Sequence, residues 1–147
     1  MDPLLYTIII TALPAIELRG AIPAGMALGG DPMAVALVST LANILIIFPI
    51  FFALDRLFGF FRQYAWIDRI VLGVRDKTEK YVEKYGAVGL MLFVAVPLPG
   101  SGAYSGCIAA KLFDVDRRHS YYSIAAGVTI AGTLVTLASL GVLSIFA

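Results

Sequence analysis

The position of the charged residues constrains this chain more than any other feature. Four long stretches carry almost no charge: Pro3–Gly30, Met33–Leu54, Gly86–Ala110 and Ser120–Ala147. The exception lies inside the first, where Glu17 and Arg19 stand two residues apart in an apolar run. An acid and a base in such a run cost several kcal/mol unless they are paired or reach water. The segment Pro14–Pro23 is therefore the first place to look for function. Only 14% of the 147 residues are charged and 60% are hydrophobic, against about a quarter charged in a soluble domain. The chain reads as an integral membrane protein with the lipid bilayer as its solvent.

Two of the apolar stretches are clean. Met33–Leu54 has no charge, and as a helix it would extend ~33 Å, close to the ~30 Å hydrocarbon core. Ser120–Ala147 begins with Tyr121 and Tyr122, where an interfacial belt would sit. In it, Ser123, Gly127 and Ala131 fall four apart and make a small-residue face suited to close helix approach. Asp55 and Arg56 are expected to cap the inner end of the first span.

The other two stretches are broken. Pro3–Gly30 contains Pro14, Gly20, Pro23 and Gly25, and Gly86–Ala110 contains Pro97, Pro99, Gly100, Gly102 and Gly106. Proline interrupts the backbone ladder and glycine loosens what remains. Each stretch therefore reads as a short helix, a broken tip and another short helix. Irregular backbone survives at membrane depth only when buried in protein or lining a wet cavity. Both stretches are expected to be re-entrant hairpins.

The order then repeats, with a faint textual echo of Thr11-Ala-Leu-Pro14 in Val94-Ala-Val-Pro97. The expected fold is all-α and integral to the membrane, a single domain over 1–147. Its first repeat is 1–55 (re-entrant 3–30, transmembrane 33–54), its connector is 56–85, and its second repeat is 86–147 (re-entrant 86–110, transmembrane 120–147). Internal repeats of this kind build many transporters.

Arg56, Arg62, Arg69, Arg75, Lys77, Lys80 and Lys84 lie in the connector. If both broken stretches re-enter, Lys111, Arg117 and Arg118 join them on one face. The positive-inside rule then makes the connector cytoplasmic, puts both termini outside and inverts the two halves. The connector is expected to lie amphipathically in the interface. Its Arg75–Lys84 part carries Asp76/Lys80 and Glu79/Glu83 among its lysines at helical pairing distances; it reads as a solvated face, or as a contact for anionic lipid.

Glu17 and Arg19 are the leading site residues. In a broken tip both could face one cavity, although two residues apart on a regular helix they would diverge. Arg19 offers a planar fork for phosphate or carboxylate. Glu17 is a candidate proton carrier. The bland alternative is an ion pair that holds the hairpin together. The second tip, with Pro97, Pro99, Gly100, Ser101, Gly102 and Tyr104, offers backbone N–H groups and hydroxyls where a half-helix begins. Asn43, mid-span and four after Ser39, is a further candidate for the cavity wall. His119 reads as interfacial and Cys107 as a small apolar residue. No metal-ligand spacing, P-loop or nucleic-acid signature is present; no cofactor, metal or nucleic-acid partner is expected, and no enzymatic activity.

The block Glu-Leu-Arg-Gly-Ala-Ile-Pro at Glu17–Pro23 and the later Val96-Pro-Leu-Pro-Gly-Ser-Gly-Ala-Tyr-Ser-Gly106 resemble the signature of the putative small multidrug export protein family of bacteria and archaea. That family looks like a distant branch of the DedA-like (VTT-domain) superfamily. The resemblance implies two inverted halves, each with a re-entrant hairpin and a transmembrane helix, and movement of lipid phosphates with proton coupling. It maps the charged residues of the first hairpin onto Glu17 and Arg19.

The expected function is thus a small transporter or flippase for an anionic or lipid-linked phosphate substrate bound at mid-membrane. Protons are its coupling partner, and a homodimer is in keeping with the small area that two spans bury. The alternatives are an exporter of cationic drugs and a membrane scaffold that transports nothing.

Overall fold

A computed structural model describes residues 2–14, 16–97 and 100–146, and among these all regular structure is helical. Helix α1 (Pro3–Thr11) and helix α2 (Glu17–Ala27) form a first hairpin. Helix α3 (Pro32–Leu45) continues almost directly into α4 (Ile47–Phe61). Helix α5 (Ala65–Tyr85) leads to α6 (Ala87–Ala95) and α7 (Ala103–Leu112), and α8 (Arg117–Phe146) closes the chain.

Local chemistry sets these boundaries. Asp2 and Asp31 each cap a helix that opens with proline, accepting from Leu4 N at 2.9 Å and from Ala34 N at 2.9 Å. A short polar side chain satisfies an orphan N–H there, and proline at the first helical position gives up a donor that has no partner anyway. Asp116 opens α8 in the same way, accepting from the His119 backbone N–H at 3.3 Å. That hydrogen bond is the main cause holding its carboxyl below the usual carboxylate range. Pro49 cannot donate to the carbonyl four residues back, which accounts for the one-residue interruption at Ile46 between α3 and α4.

Pro32–Phe61 and Arg117–Val142 are each long and apolar enough to cross a membrane. Met33, Leu37, Leu41, Leu45, Phe48 and Phe52 make an exposed apolar stripe on the first, while Val35, Ser39, Asn43 and Ile47 are buried behind it. The helix runs past Leu54 to Phe61, so Asp55 and Arg56 do not cap an end. Asp55 instead accepts from Lys111 at 3.1 Å and Arg117 at 2.8 Å.

The two long helices run antiparallel. Thr40 lies against Gly132, the Phe48 ring is 4.5 Å from that of Tyr121, and Asp55 meets Arg117. The base of the first hairpin, where Pro3 approaches Gly30, sits beside the start of α3. The base of α7, at Lys111, sits beside Asp55 at the far end. The hairpins thus start from opposite ends of the long pair. Helix α8 is the common spine against α6, α2, α3 and α7. Gly127 permits the close approach, since a Cβ there would lie 2.7 Å from the Met91 carbonyl oxygen and 2.8 Å from the Val94 Cβ. Of the expected small-residue face, Gly127 and Ala131 are buried and Ser123 is half-buried.

Helix α5 packs on α6 and α7 through Val71, Val74, Thr78 and Val82, and shows Trp66, Ile70 and Leu72 outward. The expected connector is therefore the end of α4, a turn and α5.

Candidate functional site

The two hairpin tips meet, and the charged pair sits at the junction. The first tip is narrower than the span between its prolines: α2 begins at Glu17 and carries Pro23 within it. Glu17 and Arg19 therefore both belong to the first turn of a helix, where residues two apart should diverge. The backbone resolves this. Glu17 has φ 50°, in the left-handed region that a non-glycine residue rarely occupies. That twist takes its side chain out of register with α2, and Arg19 still reaches it, Nη1 to Oε2 at 3.4 Å.

The Glu17 carboxylate is buried, with the residue 3% exposed. It accepts from the backbone N–H groups of Ala103 at 2.9 Å and Tyr104 at 3.2 Å, and from Asn43 Nδ2 at 3.3 Å. Ala103 and Tyr104 are the first residues of α7. The N-terminus expected to bind a free anion thus holds the carboxylate of the first hairpin, the placement that N–H groups and helix dipole favour. Gly102 makes room for it: a Cβ there would fall on the carboxylate.

Arg19 meets the other broken end. Its Nη2 donates to the carbonyls of Val94 at 2.8 Å, Val96 at 3.3 Å and Ser101 at 3.1 Å. Val94 lies in the last turn of α6 and Val96 caps it. A cation here complements the negative end of the helix, as Glu17 complements the positive end of α7. One acid and one base from the first tip thus satisfy the two helix ends that open in the second. Unpaired backbone groups buried there would cost about 1–3 kcal/mol each.

Two buried polar atoms remain without a hydrogen-bond partner among the described residues: Arg19 Nε and Asn43 Oδ1. Arg19 also lines a cavity of about 470 Å³, otherwise walled mainly by apolar groups of Pro23, Pro97, Leu134, Val135, Ala138 and Val142, with Ser139. A wider cavity of about 690 Å³ lies among α4, α5 and α7, with Pro14, Ile50, Phe58, Trp66 and Tyr104 in its almost wholly apolar wall.

The other sequence candidates divide as follows. Asn43 joins the site through Glu17. It lies 11 residues from Pro32 and 12 from Asp55, ~17 Å from each end of that length of helix. Ser101 is buried and donates to the Val96 carbonyl at 2.6 Å. Tyr104 contributes its backbone N–H to Glu17, and its hydroxyl donates to the Ala12 carbonyl at 2.7 Å, tying the tips together again. Gly100 has φ 80°, a backbone that suits glycine. Pro97 borders the Arg19 cavity. Pro99 lies outside the described residues. Cys107 is buried, and His119 is exposed beside Asp116. Among the described residues no group of three or more His, Cys, Asp or Glu could hold a metal.

Sequence reasoning missed the backbone partners, Ala103 N–H and the Val94 and Val96 carbonyls. The signal available was the break itself, since interrupting a helix in an apolar run creates orphan groups that something must meet. It also missed a buried hydroxyl contact between Thr11 and Ser39, 2.7 Å apart, which pins α1 to α3 one turn from Asn43.

The profile of a family described as "Putative small multi-drug export protein" matches residues 17–134. No curated protein and no solved structure matches. The distant likeness to the DedA-like superfamily is not borne out by these findings. The chain belongs to the small multi-drug export protein family, a membrane transporter kind, and its two long apolar helices accord with a membrane location.

Proposed function

We propose that this chain is a proton-coupled membrane carrier or flippase for an amphiphilic anion, such as a lipid-linked phosphate, and that the junction of the hairpin tips is its binding centre. In this reading the hairpins are re-entrant and inverted, entering from opposite faces and meeting near the midplane. The observation that carries it is the setting of Arg19. Among the described residues it is the one charged side chain on the wall of a largely apolar cavity, and its buried Nε has no partner there. A cation in an apolar chamber suits a ligand with an anionic head and a hydrocarbon tail, since it supplies a charge-assisted donor to the one and burial to the other.

Glu17 sets when that cation is available. While ionised it balances Arg19. A proton on Glu17 leaves Arg19 with unmatched charge in a medium of low dielectric, where attraction for an anion is strong. The same proton weakens the cap on α7, which loosens the contact between the tips. Head group and proton thus enter together, and the tips part to let the head group pass while its tail stays in lipid.

The test uses liposomes with labelled polyprenyl phosphate. The wild-type protein moves the label and a pH gradient changes the rate. Arg19→Gln abolishes movement, and Glu17→Gln, which keeps an acceptor for the α7 N–H groups, removes the response to the gradient. Pure protein that moves no such lipid under any gradient contradicts the reading.

The family description favours a second reading, export of lipophilic cations with Glu17 as the binding acid. Drug resistance of cells that is lost in Glu17→Gln and kept in Arg19→Ala would select it.

A further inference from the structure

The second hairpin tip separates two cavities. One holds Arg19. The other, about 490 Å³, lies between that tip and α5, and its wall includes Lys77, Lys80, Tyr81, Phe93, Val96 and Ser101. Lys77 rests against the tip: an ideal Cβ on Gly100 would lie 3.2 Å from its Nζ. Lys80 stands over the Tyr81 ring at 5.3 Å, and that ring lies 6.2 Å from Phe93. The helical pairing expected of Asp76 with Lys80 does not form. Among the described residues neither lysine has a carboxylate within ion-pair distance. Asp76 borders the same cavity, so its three charged side chains sum to one positive charge.

Both cavities set cationic groups against an apolar wall, aliphatic around Arg19 and partly aromatic around the lysines. The two also share a partition. Val96 lines the lysine cavity while its carbonyl accepts from Arg19, and Ser101 does likewise through its own carbonyl. Lys77 and Arg19 thus both reach the described ends of the tip, Lys77 at Gly100 and Arg19 at the Val96 and Ser101 carbonyls.

We propose that Lys77 and Lys80 form a receiving station for the phosphate monoester of an amphiphilic substrate, from which the head group passes to Arg19 when the tip moves. This rests on the reading of Arg19 as head-group anchor, and it adds the place where the substrate is first held.

The test reads binding and movement separately. Protein in phosphatidylcholine nanodiscs is titrated with polyprenyl phosphate, with phosphatidic acid and with inorganic phosphate. Lys77→Gln/Lys80→Gln weakens binding of the phosphate-bearing ligand about ten-fold, and Asp76→Asn strengthens it about three-fold, the scale of a lysine's attraction for an anionic surface. Equal loss for inorganic phosphate identifies the free anion as sufficient; loss for the lipids alone identifies the head group on its chain. Either supports the station. Unchanged affinity in the double variant, with its helical content intact, overturns it. If the lysines govern affinity but the wild type moves no lipid in liposomes, the station stands and the carrier reading falls. If lipid moves and affinity ignores the lysines, the reverse holds.

Discussion

Two ionic clusters in this molecule have the same ingredients and different standing. Glu17 and Arg19 meet at 3.4 Å in the interior, with side chains 4% and 11% exposed. Asp55 meets Lys111 at 3.1 Å and Arg117 at 2.8 Å at one end, with side chains 41%, 35% and 49% exposed. Ranked by distance, the outer cluster is the stronger. Ranked by what replaces water, the inner one is. Water can hydrate any member of the outer cluster that loses its partner. Glu17 and Arg19 are largely shut off from water, so each leans on what the other and the helix ends supply. The direct contact between the two charges matters less than their separate hold on α7 and α6.

Substitutions can break this comparison. Glu17→Ala has the largest expected effect. It strands Arg19 and the N–H groups of Ala103 and Tyr104, and losing one partner of a buried pair costs ~3–5 kcal/mol. Unfolding in mixed micelles measures it. Glu17→Gln, which keeps an acceptor, should cost about 1–2 kcal/mol. Equal losses for the two would mean that capping plays no part.

Gly102→Ala comes next. Its methyl would fall on the Glu17 carboxylate, and overpacking of this kind costs ~1–3 kcal/mol. Glu17→Asp withdraws the carboxylate, so the double variant should lose less than the two single losses summed. Strict additivity would show that the two residues are not in contact.

Asp55→Asn should cost at most ~1 kcal/mol, as exposed ion pairs do, and 0.5 M salt should erase the difference. A loss as large as that of Glu17→Ala would remove the contrast.

The smallest effect belongs to Asp116, whose carboxyl is held below its usual range by the His119 N–H. A depressed value in the folded state adds stability that is present above the unfolded value of about 4 and lost as pH falls through the folded one. Asp116→Asn should therefore lower the melting temperature slightly at pH 7, leave it unchanged well below about pH 4 and so flatten the acid limb of the profile.

Much of the architecture was legible in residue order. Two clean apolar runs and two runs interrupted by proline and glycine gave the long helices and the split ones, because helix breaking is local. The Asp-Pro starts of α1 and α3 follow the same logic. The break near Pro14–Pro23 was legible in place and not in extent. Proline at position 23 is tolerated seven residues into α2, and the local twist at Glu17 cannot be seen in residue types. Glu17, Arg19 and Asn43 were legible because polar groups in apolar runs need a reason. Their partners were not, since Ala103, Val94 and Val96 contribute backbone atoms, which every residue has. Lys77 and Lys80 read as a solvated face and both are exposed; nothing in their spacing reveals that the second tip lies beside Lys77.

The central claim is that both hairpin tips stop and meet inside the bilayer. Collision depth of spin labels tests it most directly, at two outward-facing positions on or one turn from the tips: Leu13, 41% exposed, and Leu92, 41% exposed near the end of α6. Each is placed singly in protein reconstituted in liposomes and compared with labels along the exposed stripe from Met33 to Phe52. The account predicts oxygen-over-nickel collision ratios at both tips that match the middle of that stripe. Ratios of head-group depth at either tip would contradict it.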